Sequence, residues 1–198
     1  VVLLGGIGLS FLAGYLAGRG YASCAVELRG FGRTPERPRG HIDSFRVWDR
    51  DVLELRDIIG RDFPGRKVFL LGESMGGLLA FNLACLHPGR FAGQVLIAPA
   101  FKNGMKFPLS AYVKLVLFLP FRPKLMLPLP FTSEMVTRDP GYLEVMNASP
   151  DELRVASLKC LFNFLPDQAR SWKLGKKLVV PTLFLIPGVD HLVDERAG

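Results

Sequence analysis

Val68-Phe69-Leu70-Leu71-Gly72-Glu73-Ser74-Met75-Gly76-Gly77-Leu78 is the stretch on which the reading of this chain turns. Lys67 to Leu71 reads as a strand, and its continuous apolar run from Val68 to Leu71 is the signature of one buried on both faces. Met75 to Leu86 reads as a helix that stops before Pro88. Between them lies Gly-x-Ser-x-Gly. A strand that turns abruptly into a helix holds the serine on a strained bend with its hydroxyl exposed, and the residues on either side must be small because the backbones come close. Gly72 and Gly76 meet that demand. The helix N-terminus behind Ser74 offers free N–H groups and a positive dipole end to a developing negative charge. The competing readings are a glycine-rich turn that merely contains a serine, and a phosphate loop. The latter lacks its Gly-x-x-x-x-Gly-Lys.

Working outward, Val1 to Leu4 is a buried strand ending at Gly5-Gly6, and Leu9 to Ala17 a helix closed by Gly18 and Gly20. Tyr21 to Val26 is a second strand, and the Arg-, Pro- and Gly-rich 29–40 stretch a loop. Asp43 or Ser44 caps a helix whose apolar positions, Phe45, Trp48, Val52, Leu55, Ile58 and Ile59, recur at steps of three and four. Gln94 to Ala98 is a further strand. This alternation predicts an α/β fold with a mostly parallel, doubly wound sheet. The rhythm breaks over residues 101–172, where helical patches and prolines occur without a convincing strand, and resumes at Leu178 to Ile186. The expected organisation is a core over 1–100, a helical cap inserted over 101–172, and a continuation of the core over 173–198. Such an insertion would lie over the C-terminal sheet edge, where open α/β sheets bind ligands.

Four segments in order resemble the α/β-hydrolase superfamily, in its monoacylglycerol lipase and lysophospholipase branch: Leu4-Gly5-Gly6-Ile7-Gly8, the loop Glu27-Leu28-Arg29-Gly30-Phe31-Gly32-Arg33-Thr34, the Ser74 bend, and Pro181 to Asp190. The resemblance implies an α/β-hydrolase fold, a serine nucleophile at Ser74, and an oxyanion hole built from the backbone N–H groups of Ile7 and Met75. Gly5 stands where that family usually has histidine. Because both donors are main-chain groups, the departure deletes neither. Glu27 and Thr34 are milder departures. Arg29 is expected to be structural, bonding near the bend, with a ligand-binding role as the alternative.

In this fold the acid follows the serine in sequence and the histidine comes last. Asp190 follows the late strand, as that layout requires, and the resemblance indicates the same residue. Asp194 is the competitor and reads as a helix cap. A serine needs a base to take its proton, and none of the histidines, His41, His87 and His191, qualifies. His41 comes too early. His87 ends the helix that begins at the bend, about three turns away. His191 adjoins Asp190 and cannot complete the line from acid to serine. The sequence is therefore expected to be cut at both ends, with the base beyond Gly198.

The resemblance implies hydrolysis of lipid-type carboxylic esters, a monoacylglycerol or a lysophospholipid. The alternatives on the same scaffold are peptidase, thioesterase or acyltransferase chemistry, or a non-catalytic relative. No metal or organic cofactor is implied. The formal net charge is +7, but the basic residues form no tract and no nucleic-acid motif appears. Cys24, Cys85 and Cys160 are too far apart for a zinc site or disulfide framework and are expected to be free thiols. From Phe101 to Phe131 there are five basic residues and no acidic one among many large apolar residues. Such a segment suits a lipid–water interface, an acyl-chain pocket, or the cap's own core. The expected setting is cytoplasmic, with peripheral membrane contact through the cap. Oligomeric state is not legible.

Overall fold

The computed structural model describes residues 1–5, 9–188, 190 and 192–194. Its centre is a five-stranded parallel sheet: β1 (Val2–Leu4), β2 (Cys24–Val26), β3 (Phe69–Glu73), β4 (Gly93–Ile97) and β7 (Thr182–Leu185), in the order β2-β1-β3-β4-β7. Because successive side chains in a strand point to opposite faces, Val2 and Leu4 enter one core while Leu3 enters another. The smaller core joins Leu3 and Leu71 to Leu9 of helix α1 (Leu9–Ala17). The larger core packs under α2 (Arg46–Asp62) and α3 (Met75–Leu86).

The predicted helices form where their apolar spacing places them, with small shifts at the ends. α2 buries Trp48 and Val52, and Phe45 stacks on Trp48 at a ring separation of 4.4 Å. The expected side-chain cap is absent: Phe45 occupies the cap position, and the Ser44 hydroxyl instead accepts from the Arg46 N–H at 3.2 Å. In α3 every residue from Gly76 to Cys85 is buried, because the sheet covers one side and a later helix the other. Cys85 and Cys160 are buried thiols and Cys24 is half-buried; none is in a disulfide.

Between β4 and β7 the chain leaves the sheet and forms α4 (Leu109–Phe118), β5 (Met126–Pro128), α5 (Pro140–Ala148), β6 (Val155–Ser157) and α6 (Leu158–Leu174). β5 and β6 pair antiparallel. Sequence periodicity did not reveal them, since three-residue strands are too short to show an alternation. α6 is anchored at several points. Asn82 of α3 donates to the Asp167 carbonyl, and Asn163 donates to the Ile42 carbonyl. Arg170 bridges Asp49 of α2 and Asp167, each at 3.1 Å. The His41 ring lies between Ser157 Oγ at 2.8 Å and Asp43 Oδ1 at 3.2 Å.

Candidate active site

Strand register sets the site. Leu4 lies opposite Gly72, Glu73 opposite Ile97, and Ile97 opposite Leu185. The segments that leave these strands therefore emerge along one edge. β1 has β2 on one side and β3 on the other, so the strand order reverses there, the crevice position where open α/β sheets take ligands. Ser74 leaves β3 beside that crevice.

Ser74 has φ 51° and ψ −116°, a backbone conformation that costs a non-glycine residue of order 1–3 kcal/mol. Surrounding contacts hold it there. Its N–H donates to the Ile97 carbonyl at 2.9 Å, and its carbonyl accepts from Leu78 at 3.1 Å and Ala100 at 2.9 Å. The flanking glycines are required by space. A Cβ on Gly72 would lie 2.3 Å from the Gly76 carbonyl oxygen, and one on Gly76 would lie 2.0 Å from that of Leu4. Ala98, just past β4, also has a positive φ of 42°; it carries the chain toward Ala100, whose N–H reaches Ser74. Sequence reasoning did not find this second strained residue, for alanine carries no turn signal.

Met75 begins α3, and the N–H groups of its first turn have no carbonyl partner within the helix. These are the donors nearest the Ser74 hydroxyl in sequence. Ile7, the other expected donor, lies outside the described residues.

Asp190 is half-buried beyond β7. Its Oδ1 accepts the N–H groups of Leu192 at 2.7 Å and Val193 at 3.0 Å, which fixes the carboxylate and leaves Oδ2 without a partner among the described residues. It borders a small crevice with Ala98 and Pro99, the same turn that carries Ala100 to Ser74. Asp194 takes a different part, accepting from Lys102 at 2.6 Å. His41 is occupied by Ser157 and Asp43, and His87 caps the far end of α3. His191 lies outside the described residues. Arg29 makes structural contacts, though with α2 instead of the bend: it pairs with Asp51 at 2.8 Å, and its carbonyl accepts from the Trp48 indole, so it braces the loop against α2.

Ser74 and Met75 line a cavity of about 740 Å³. Its walls are mostly apolar and come from the sheet edge and from the inserted segment, among them Ala111, Tyr112, Leu115, Met146, Leu161 and Phe164. None of the residues of α4 is buried. Its Ala111, Tyr112 and Leu115 face the cavity, while Leu109, Val113, Val116 and Leu117 are exposed. The apolar stripe of α4 thus has two faces, one on the cavity and one on solvent, and it does not pack an internal core.

Two carboxyl groups in the cavity wall were not singled out from sequence. Burial, and then the neighbouring Glu152 carboxylate, push the Glu73 carboxyl above its ordinary range; burial also raises Glu152, partly offset by Arg154. Glu73 was visible only as the variable position before the serine, and nothing in its spacing linked it to Glu152.

A parallel sheet with this strand order and a serine on a positive-φ bend at its crevice defines an α/β-hydrolase. The chain belongs to the family described as Serine aminopeptidase, S33 (Hydrolase_4), whose profile matches residues 9–198, and its similarities lie in the monoacylglycerol lipase-like branch. It is 36% identical over 169 residues to the monoglyceride lipase of Homo sapiens, covering 82% of this chain and 54% of that protein. It is 31% identical over 165 residues to that of Mus musculus, with the same coverage. The chain thus spans about half the length of these curated relatives. Among solved structures, Paleococcus ferrophilus monoacylglycerol lipase superposes with a TM-score of 0.87 at 23% identity, covering 99% of this chain and 76% of that one. A soluble variant of the Saccharomyces cerevisiae monoglyceride lipase superposes at 0.79 and 22%, covering 99% and 70%. At these identities the structural matches show the fold.

Proposed function

We propose that the full-length protein hydrolyses carboxylic esters of lipid type, monoacylglycerols or lysophospholipids, with Ser74 as nucleophile. The observation that carries this reading is the strained Ser74 bend opening onto a large, mostly apolar cavity. Ligand sites of this size and character bind substrates with long apolar parts. The family description names an aminopeptidase, but the apolar walls favour an acyl chain over a peptide.

In the proposed reaction the Ser74 hydroxyl attacks the ester carbonyl while a histidine later in the full-length protein takes its proton. The tetrahedral oxyanion is held by the Met75 and Ile7 N–H groups. Asp190, fixed through Oδ1, uses Oδ2 to orient the imidazole. Collapse of the intermediate breaks the ester C–O bond, and the histidine returns its proton to the departing alcohol. Water, deprotonated by the same base, then cleaves the acyl-serine and restores Ser74. The inserted segment serves as a cap over this site. The exposed α4 face, with Lys106, Lys114 and Arg122 alongside, rests on an anionic membrane surface in the cytoplasm, where apolar insertion and charge attraction add.

Fluorophosphonate labelling of the full-length protein tests this reading. The expected result is an adduct on Ser74, mapped by peptide mass. No adduct, together with full esterase activity in Ser74→Ala, would overturn it.

A further inference from the structure

The loop that carries Asp190 is fastened to the segment that leaves β4. Residues 102–104 and 192–194 run antiparallel, with Asn103 opposite Val193. The Gly104 N–H donates to the Leu192 carbonyl at 3.0 Å, and the Asp194 N–H donates to the Lys102 carbonyl at 3.2 Å. The Lys102 ammonium donates to Asp194 Oδ2 at 2.6 Å. Gly104 sits directly on the facing backbone: a Cβ there would lie 3.0 Å from the Val193 carbonyl carbon and 3.2 Å from the Val193 nitrogen.

This clasp joins two ends of the proposed machinery. On one side, Leu192 and Val193 supply the N–H groups that hold Asp190 Oδ1. On the other, residues 102–104 follow Ala100, whose N–H reaches the Ser74 carbonyl at 2.9 Å. The stretch between is anchored. Phe101 is buried with its ring against Phe81 at 4.8 Å, and Gln168 of α6 donates to the Ala100 carbonyl at 2.9 Å. The strands that lead to Ser74 and Asp190 are not neighbours, since β4 lies between β3 and β7. A short run of backbone leaving β4 therefore ties both residues to one frame. The Lys102 side chain is 61% exposed, and an ion pair so open to water adds little to stability. Its effect is on register: it locks the pairing of the two segments beside the acid.

We infer that Lys102, Gly104 and Asp194 are positioning residues, a clasp that sets where the Asp190 carboxylate stands relative to Ser74 by holding the Leu192 and Val193 amides. This deepens the ester-hydrolase reading and rests on it, since it takes Ser74 as nucleophile and Asp190 as acid. A misplacement of about 1 Å in such an array costs of order 10²-fold in rate. The carboxylate that orients the imidazole also raises its pKa, because a nearby opposite charge favours the protonated ring.

The test uses the full-length protein with 1-oleoylglycerol in neutral-detergent micelles. Rates are expressed per Ser74 labelled to completion by a fluorophosphonate, so that unfolded protein drops out. Lys102→Met, Asp194→Asn and Gly104→Ala are each expected to lower kcat about tenfold, with KM within about twofold of the wild type. Lys102→Met combined with Asp194→Asn should lose no more than either alone, since both break one contact, and Lys102→Arg should keep most of the rate. The acid limb of the kcat/KM profile should move to lower pH in all the impaired variants, because an imidazolium with a displaced carboxylate gives up its proton more readily. Should Gly104→Ala fail to fold, the two side-chain variants, which remove a single exposed ion pair, carry the test. Variants with the wild-type kcat per labelled site, or with a reduced kcat but an unmoved acid limb, would overturn this inference alone. A wild type that forms no Ser74 adduct, or an Asp190→Asn variant with full activity, would overturn the proposed reaction and this inference with it.

Discussion

The α-carbon of Gly76 faces the carbonyl oxygen of Leu4 so closely that an added methyl carbon would lie 2.0 Å from it. The first turn of α3 is thus seated directly on the end of β1, and the obstruction is backbone that cannot swing aside. Gly76→Ala is expected to lower unfolding free energy by about 3 kcal/mol or more, at the upper end of overpacking costs. Urea denaturation of variant and wild type measures it; a loss below about 1 kcal/mol would show the seat to be looser than described.

Ser74 concentrates both chemistry and strain. Ser74→Ala is expected to abolish the proposed ester hydrolysis, by a factor of about 10³ or more, since a missing nucleophile is not compensated by the rest of its machinery. Ser74→Gly should lose activity equally yet gain about 1 kcal/mol of stability, because glycine adopts a φ of 51° without penalty. Paired activity and melting measurements separate these effects.

Glu73 makes stability depend on pH. Its folded-state pKa lies above the ordinary value, through burial first and Glu152 second. Its contribution is therefore fully present below about pH 4.3, the unfolded glutamate value, and is lost as pH rises through the folded one. Denaturation midpoints of the wild type should fall across that window as the buried carboxyl ionises. Those of Glu73→Gln should fall less. Parallel curves for the two proteins would refute the assignment.

Arg170 stands between Asp49 and Asp167, and all three side chains are nearly buried. Arg170→Ala would leave Asp167 without its ion pair and Asp49 with only the more exposed Arg46 at 3.5 Å, at an expected cost of about 3 kcal/mol. The variant should also loosen α6, which lines the cavity through Leu161 and Phe164. Hydrogen exchange across α6 would register this as lost protection; unchanged exchange would place the bridge outside the packing of that helix.

The exposed α4 face and the turn after it, which holds Phe121, yield a binding prediction. Leu117→Glu with Phe121→Glu removes two large apolar groups that are 58% and 84% exposed. Sedimentation with anionic vesicles should weaken by about 30-fold or more, given about 2 kcal/mol for one large apolar side chain withdrawn from the bilayer. Vesicle binding that survives the double change would place the membrane contact elsewhere.

Much of the fold was legible because its signals are local. The run at 68–71, the glycines at 72 and 76 and the apolar spacing of α2 each act within a few residues, and they located β3, α2 and the Ser74 bend. The place of Asp190 just after the late strand, together with the family resemblance, made it the candidate acid over Asp194. What sequence could not yield depends on distant segments meeting. β5 and β6 exist only because 126–128 and 155–157 find each other; α4 shows its two faces only once the cavity forms; Arg29 turns to Asp51 because α2 lies beside its loop. Glu73 and Glu152 become a pair in the same way. Burial and like-charge proximity are properties of the assembled cavity, since the low-dielectric surroundings that strengthen them arise only when the sheet edge and the inserted segment close around the same space.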